Sequence, residues 1–319
     1  MAKKILVGLA VFVGLVVLAA VSWKVYLDAT YFKGYDPKAP LNAQVRETVD
    51  TPYCTRVSLF YDGMDGQRVP TWLELPKEGK WPFPCIVFLH GIGDDKEFMA
   101  HYHLDETFMK AGFAFVTFDQ LMQGERKLRH ASGLQQAATF RVRAAHTVND
   151  TRRLIDYLQT RPDIARDRIY LCGASYGAIT GATATAFDPR IRAAVLTYGG
   201  GNLRKLLSAD LIREEIGAWR FAAYAVAWYF GGVFDPVRYV GRISPRPVLL
   251  QNGLADTIVS PAAGKALQEA AREPKRIMWY EGDHLGKTSD LDIPLTMKVL
   301  GDALTFLSEQ DAKRGRTSP

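Results

Sequence analysis

The segment IYLCGASYGAITGATATAF, Ile169 to Phe187, restricts the possible folds more than any other part of this chain. Its apolar run Ile169–Cys172 has the length and composition of a buried strand. A run of small residues with helical character begins directly after Ser175. Between the two lies Gly-x-Ser-x-Gly, with Gly173 and Gly177 each two residues from the serine. A strand that turns straight into a helix forces the corner residue into a strained, exposed conformation. Glycines on either side remove the Cβ atoms that would clash across so tight a corner. The pattern predicts that Ser175 Oγ stands clear at the positive end of the following helix. The Tyr176 N–H then faces the same space.

The remaining chain alternates short β-rich runs with helical patterns. Residues 56–61 and 68–75 flank a Gly/Asp turn and read as a hairpin. Continuous apolar strands are expected at 85–90, 113–119, 168–173, 193–198, 247–253 and 276–282. Helical spacing runs through 95–112, ending at Gly112. It recurs from Phe140 to Thr160, where Val142, Ala145, Val148, Leu154, Ile155 and Leu158 share one side and Pro162 stops the helix. Strands buried on both sides and separated by helices predict an α/β fold: a mostly parallel sheet with helices on both faces.

In such sheets chemistry gathers where strands end in loops. The strand at 85–90 ends in His90-Gly91-Ile92-Gly93, a turn that can aim the Ile92 N–H at the oxyanion facing Tyr176 N–H. The strand at 247–253 leads to Asp256. A lone aspartate there is more often an Asx turn or a helix cap. The strand at 276–282 leads to His284, the only histidine after Ser175. The order Ser175, Asp256, His284, each after its own strand, is the order a nucleophile elbow uses. Asp283 is the rival acid, but it adjoins His284 and neighbouring loop side chains diverge.

On these residues the chain resembles the α/β-hydrolases, in the branch of dienelactone hydrolases, acetyl-xylan-type esterases and prolyl-oligopeptidase-like enzymes. The stretch from Ser244 to Leu285 is similar to that branch's acid-to-histidine region, and 69–97 to its oxyanion region. FDQLMQGER, 118–126, falls at a characteristic loop of the branch, where Gln120 and Gln123 are atypical. The resemblance covers about 55–308. It implies an eight-stranded sheet with antiparallel character at strands 1 and 2, a catalytic Ser175–His284–Asp256 triad, an oxyanion hole from Ile92 and Tyr176, a small-molecule ester substrate, and no cofactor. Dienelactone hydrolases use a cysteine nucleophile, so their substrate is not implied. Two other readings stay open: a prolyl-oligopeptidase-like peptidase, for which the chain lacks room for a propeller, and a non-catalytic binding protein on the same fold.

Residues 1–27 begin with Lys3 and Lys4 and continue as an unbroken apolar run from Ile5 to Val21. They read as an uncleaved transmembrane anchor or a cleaved signal peptide, with the lysines on the cytoplasmic side. The catalytic domain is then extracytoplasmic, either membrane-anchored or secreted. Residues 28–54 read as a tether, 55–308 as the hydrolase domain, and 309–319 as a polar tail. A helical insert at about 201–245, between the sixth and seventh strands, holds the aromatic run WRFAAYAVAWYFGGVF. It reads equally as a helix packed on the sheet or as a lid that lines an acyl pocket or touches membrane.

The formal charge of +6 is scattered rather than clustered, so no nucleic-acid partner is expected. A Cys54–Cys85 disulfide is compatible with export, and Cys172 reads as a buried thiol. His101 and His103 point to different faces of a predicted helix, and His130 and His146 have no partner pattern, so no metal site is expected. Oligomeric state is not legible.

Overall fold

The computed structural model describes residues 2–208, 219–286 and 291–315. Its centre is one nine-stranded sheet in the order β1-β2-β3-β5-β4-β6-β7-β8-β9. These strands are Gln44–Asp50, Cys54–Asp62, Arg68–Pro76, Phe83–Leu89, Ala114–Phe118, Ile164–Ala174, Ile191–Thr197, Val248–Gly253 and Lys275–Tyr280. Strands β1 to β3 run antiparallel, β5 joins β3 antiparallel, and β5-β4-β6-β7-β8-β9 are parallel. The sheet therefore has one strand more than expected. The extra strand is β1, all seven of whose residues are exposed. With no buried face, QVRETVD carries no alternation to read.

Successive residues of a strand point to opposite faces, and both faces are covered. Cys85, Val87 and Leu89 of β4 join one core with helices α4 (Gly133–Leu158) and α5 (Tyr176–Phe187), and with Leu267 of α8 (Pro261–Ala270). Ile86 and Phe88 join the opposite core. That core includes Met99 of α2 (Phe98–His101), Phe108 of α3 (Glu106–Met109) and Ala303 of α9 (Ile293–Gly315).

The single helix expected over 95–112 is thus two single turns. The 3–4 residue spacing continues across the break, but His103 takes a left-handed φ of 55° and Asp105 accepts from Glu106 N–H to start a new turn. Two short turns cover less of the sheet than one long helix, and a cavity lies beneath them.

Helix α1 (Ala2–Thr30) is a 29-residue apolar rod, exposed along its apolar window. The segment after it is fastened down rather than free. Tyr31 is buried and donates to the Arg141 carbonyl at 2.6 Å. Arg153 donates to the carbonyls of Asp36, Ala39 and Pro40. Backbone carbonyls are the acceptors, so side-chain periodicity gives no sign of this docking.

The cysteines are free and buried. Cys54 on β2 and Cys85 on β4 are separated by β3 and β5, three strand spacings of about 4.8 Å each. That is far beyond the span of a disulfide.

Within the insert lie α6 (Leu203–Leu206), α7 (Arg220–Gly231) and a chain of 3-10 turns over 232–242. The lid reading falls partly on 209–218, outside the described residues. Among the described residues, helix α7 lies against α6 and the turn that follows it.

Candidate active site

Ser175 sits between the end of β6 and the first residue of α5 with φ 53° and ψ −115°. A non-glycine residue holds such a backbone only when its surroundings enforce it. Both flanking glycines are required by contact. A Cβ on Gly173 would overlap the Gly177 carbonyl, and one on Gly177 would overlap the Leu89 carbonyl of β4. The Ser175 N–H is held by the Thr197 carbonyl of β7 at 2.9 Å.

His284 Nε2 lies 2.9 Å from Ser175 Oγ, and His284 Nδ1 lies 2.8 Å from Asp256 Oδ2. Three side chains from three loops therefore meet in one hydrogen-bonded line. Asp256 also forms an Asx-type turn, its Oδ1 accepting from Ile258 N–H at 2.9 Å and Val259 N–H at 2.7 Å. One oxygen fixes the loop while the other faces the imidazole. Asp283 occupies a different position. Its carboxylate accepts from Thr257 N–H at 2.8 Å and from the backbone N–H of His284 at 2.7 Å. It ties the acid loop to the histidine loop. The Tyr198 ring stands edge-on to the His284 ring, with centroids 5.4 Å apart. Tyr198 itself has a φ of 54° and is almost fully buried.

With Nδ1 protonated toward Asp256, Nε2 can accept the serine proton. Ile92 lines the cavity beside Ser175, and Tyr176 opens α5. Among the described residues, neither the Ile92 nor the Tyr176 N–H donates to an internal acceptor. The turn at 90–93 is shaped by side chains whose role the sequence did not reveal. Gln120 donates to the His90 carbonyl at 2.7 Å, and Gln123 accepts from Gly93 N–H at 2.7 Å. Their only signal was that glutamine is atypical in this loop. His90 is buried, and burial lowers its pKa.

Of the remaining histidines, His103 contacts Glu106 at 3.0 Å and His146 is buried 3.8 Å from Asp65.

A cavity of about 350 Å³ opens from Ser175 into the layer between the sheet and α2, α3 and α9. Phe88, Cys172 and Val195 form its sheet wall, and Leu104, Phe108 and Ala303 face them. Asp94 is the one carboxylate among its described lining residues. Its pKa is raised to about 6, first by burial and then by Asp95. A Cβ on Gly91 would lie 3.0 Å from Asp94 Oδ2 and 3.5 Å from Ser175 Cβ, so the carboxyl borders the turn at 90–93 beside Ser175.

The profile of the acetyl xylan esterase (AXE1) family matches residues 35–199, and that of the prolyl oligopeptidase family matches 135–291. Among curated proteins, Escherichia coli (strain K12) YfhR, described as uncharacterized, is 23% identical over 238 residues, 73% of this chain and 75% of its own. Esterase YjfP of the same strain is 25% identical over 209 residues, covering 61% and 77%. Among solved structures, acetyl xylan esterase from Paenibacillus sp. R4 superposes with a TM-score of 0.70 at 20% identity, covering 88% of this chain and 93% of that one. Acetyl xylan esterase 1 from Thermoanaerobacterium sp. JW/SL YS485 gives 0.67 at 20% identity, covering 90% and 93%.

Proposed function

Because the chain belongs to the acetyl xylan esterase family, within the α/β-hydrolases, we propose that it is a serine carboxylic ester hydrolase working through an acyl-enzyme. The observation that carries this reading is the line from Ser175 Oγ through His284 to Asp256, at 2.9 and 2.8 Å. Ser175 Oγ attacks the ester carbonyl as His284 Nε2 takes its proton. Asp256 holds the imidazole tautomer and stabilises the imidazolium. The Ile92 and Tyr176 N–H groups receive the oxyanion. His284 then protonates the leaving alkoxide, the C–O bond breaks, and an activated water repeats the sequence on the acyl-enzyme.

The cavity supports an apolar acyl group longer than acetyl. Its lining face on α9 runs from Thr296 to Ala303. That is about 10 Å of helix, roughly the length of an extended eight-carbon chain. An acetyl group would leave most of the 350 Å³ unfilled.

The helix α1 supports a membrane-anchored enzyme whose catalytic domain lies outside the cytoplasm, with Lys3 and Lys4 inside.

A second reading has its own support. The prolyl oligopeptidase profile covers the stretch bearing all three triad candidates. A panel of p-nitrophenyl acyl esters and prolyl amides separates the two. The esterase reading expects turnover of esters only, lost about 10⁴-fold or more in Ser175→Ala. Prolyl amide cleavage at comparable kcat/KM would overturn it.

A further inference from the structure

Helix α7 exposes large apolar side chains. From Phe221 to Phe234 no residue is charged. Phe221, Tyr224 and Trp228 are 75%, 37% and 53% exposed, and their spacing places them on one face. Trp219 adds a fourth exposed aromatic side chain. Water is a poor partner for such a stripe.

The structure also fixes how deep this stripe lies relative to α1. From Ile5 to Trp23, α1 has only apolar residues and Ser22. At 1.5 Å per residue that stretch is about 29 Å, close to the roughly 30 Å hydrocarbon thickness of a bilayer. Lys3 and Lys4 mark one boundary, and Lys24, paired with Asp28 at 2.9 Å, marks the other. Helix α7 touches α1 at that second boundary. Tyr229 Oη donates to the Ala20 carbonyl at 2.9 Å, one turn inside Lys24. Lys24 Nζ lies 4.9 Å from the centre of the Trp228 ring. A segment bonded at Ala20 cannot sit in bulk water while α1 spans.

With 12 residues, about 18 Å, α7 is too short to cross. A helix whose single charge is Arg220 at its first residue, and whose aromatic stripe lies at this depth, fits the aromatic belt at a membrane–water interface. Trp23 and Tyr26 of α1 are exposed nearby in sequence to Lys24, as in the aromatic belts of membrane proteins. Lys24, Asp28, Asp235 and Arg238 line a polar cleft next to Trp228, which supplies the water-facing rim.

We propose that α7 is a membrane-surface element: it lies in the head-group layer of the bilayer that α1 crosses and holds the catalytic domain against the lipid. This rests on the reading of α1 as an anchor. It does not depend on the ester chemistry.

The test uses the full chain in phosphatidylcholine–phosphatidylglycerol vesicles. The three native cysteines are buried, so a bimane label is directed to Phe221→Cys, or to the exposed Trp81→Cys two residues before β4 as a control. Flotation reports the anchor, and doxyl lipids and iodide report depth. The expected result is a floating protein in which a shallow doxyl lipid quenches label 221 at least twofold more than label 81, while iodide quenches it less. A floating protein with equal quenching at both sites overturns the surface role and leaves the anchor standing. Iodide protection without lipid quenching, the sign of self-association through this face, also overturns it. A protein that does not float overturns the anchor reading and this proposal with it.

Discussion

Replacing Ala303 with phenylalanine tests the acyl reading at the cavity wall that α9 supplies. Ala303 is 3% exposed, and its side chain lines the space opposite the sheet wall. Each methylene that an acyl chain buries in an apolar cavity is worth about 0.8 kcal/mol, or roughly fourfold in kcat/KM. From acetate to hexanoate, four methylenes then give at most roughly 200-fold in the wild-type enzyme. A phenyl ring grown from position 303 occupies the space that the terminal carbons would fill. Ala303→Phe should leave p-nitrophenyl acetate turnover within about twofold while lowering hexanoate and octanoate kcat/KM by roughly 10- to 50-fold. Overpacking costs stability of about 1–3 kcal/mol, so a thermal melt accompanies the kinetics. Two results would speak against a long acyl chain in this cavity. One is a wild-type enzyme that prefers acetate. The other is a variant that loses all chain lengths equally while still folded, since a filled cavity cannot hurt a substrate that never enters it.

The two acidic residues near His284 should separate cleanly. Asp256→Asn should lower kcat by about 10³- to 10⁴-fold, because the amide favours the wrong imidazole tautomer. Asp283→Asn should cost about 1–3 kcal/mol of stability through its bonds from the Thr257 N–H and O–H and the His284 N–H, with at most about a tenfold change in kcat. Equal kinetic losses in the two would contradict the assignment of roles. Asp94 should shape the pH profile. Its carboxyl, raised to about 6, is charged above that pH and borders the turn at 90–93 beside Ser175. Asp94→Asn should therefore raise kcat/KM for a neutral ester by roughly three- to tenfold at pH 8, and the difference should vanish below pH 5. In the folded chain Asp94 binds its proton more tightly than in the unfolded chain. The stability from that proton is complete near pH 4 and withdrawn as pH rises through 6, and Asp94→Asn should remove this slope from the melting curve.

Much of the frame was legible because burial leaves a trace in sequence. The parallel strands are buried on both sides and read as apolar runs, and Gly173 and Gly177 mark a corner that admits no Cβ. Features built from backbone or from empty space left no such trace. Strand β1 is exposed along its length. The chain after α1 docks through carbonyls that Arg153 collects. The break between α2 and α3 rests on one left-handed residue, His103, inside a spacing that otherwise reads as continuous helix. The cavity exists because those two turns are short, and no single residue announces it. Asp256 was ambiguous between turn former and acid because its two oxygens engage both kinds of partner.

If His284 primes Ser175 as a nucleophile, a fluorophosphonate probe, read by intact mass and peptide mapping, should give one adduct per chain, located on Ser175, absent in Ser175→Ala and slowed by orders of magnitude in His284→Gln. No adduct on a folded protein, an adduct on another residue, or labelling indifferent to His284 would contradict that priming.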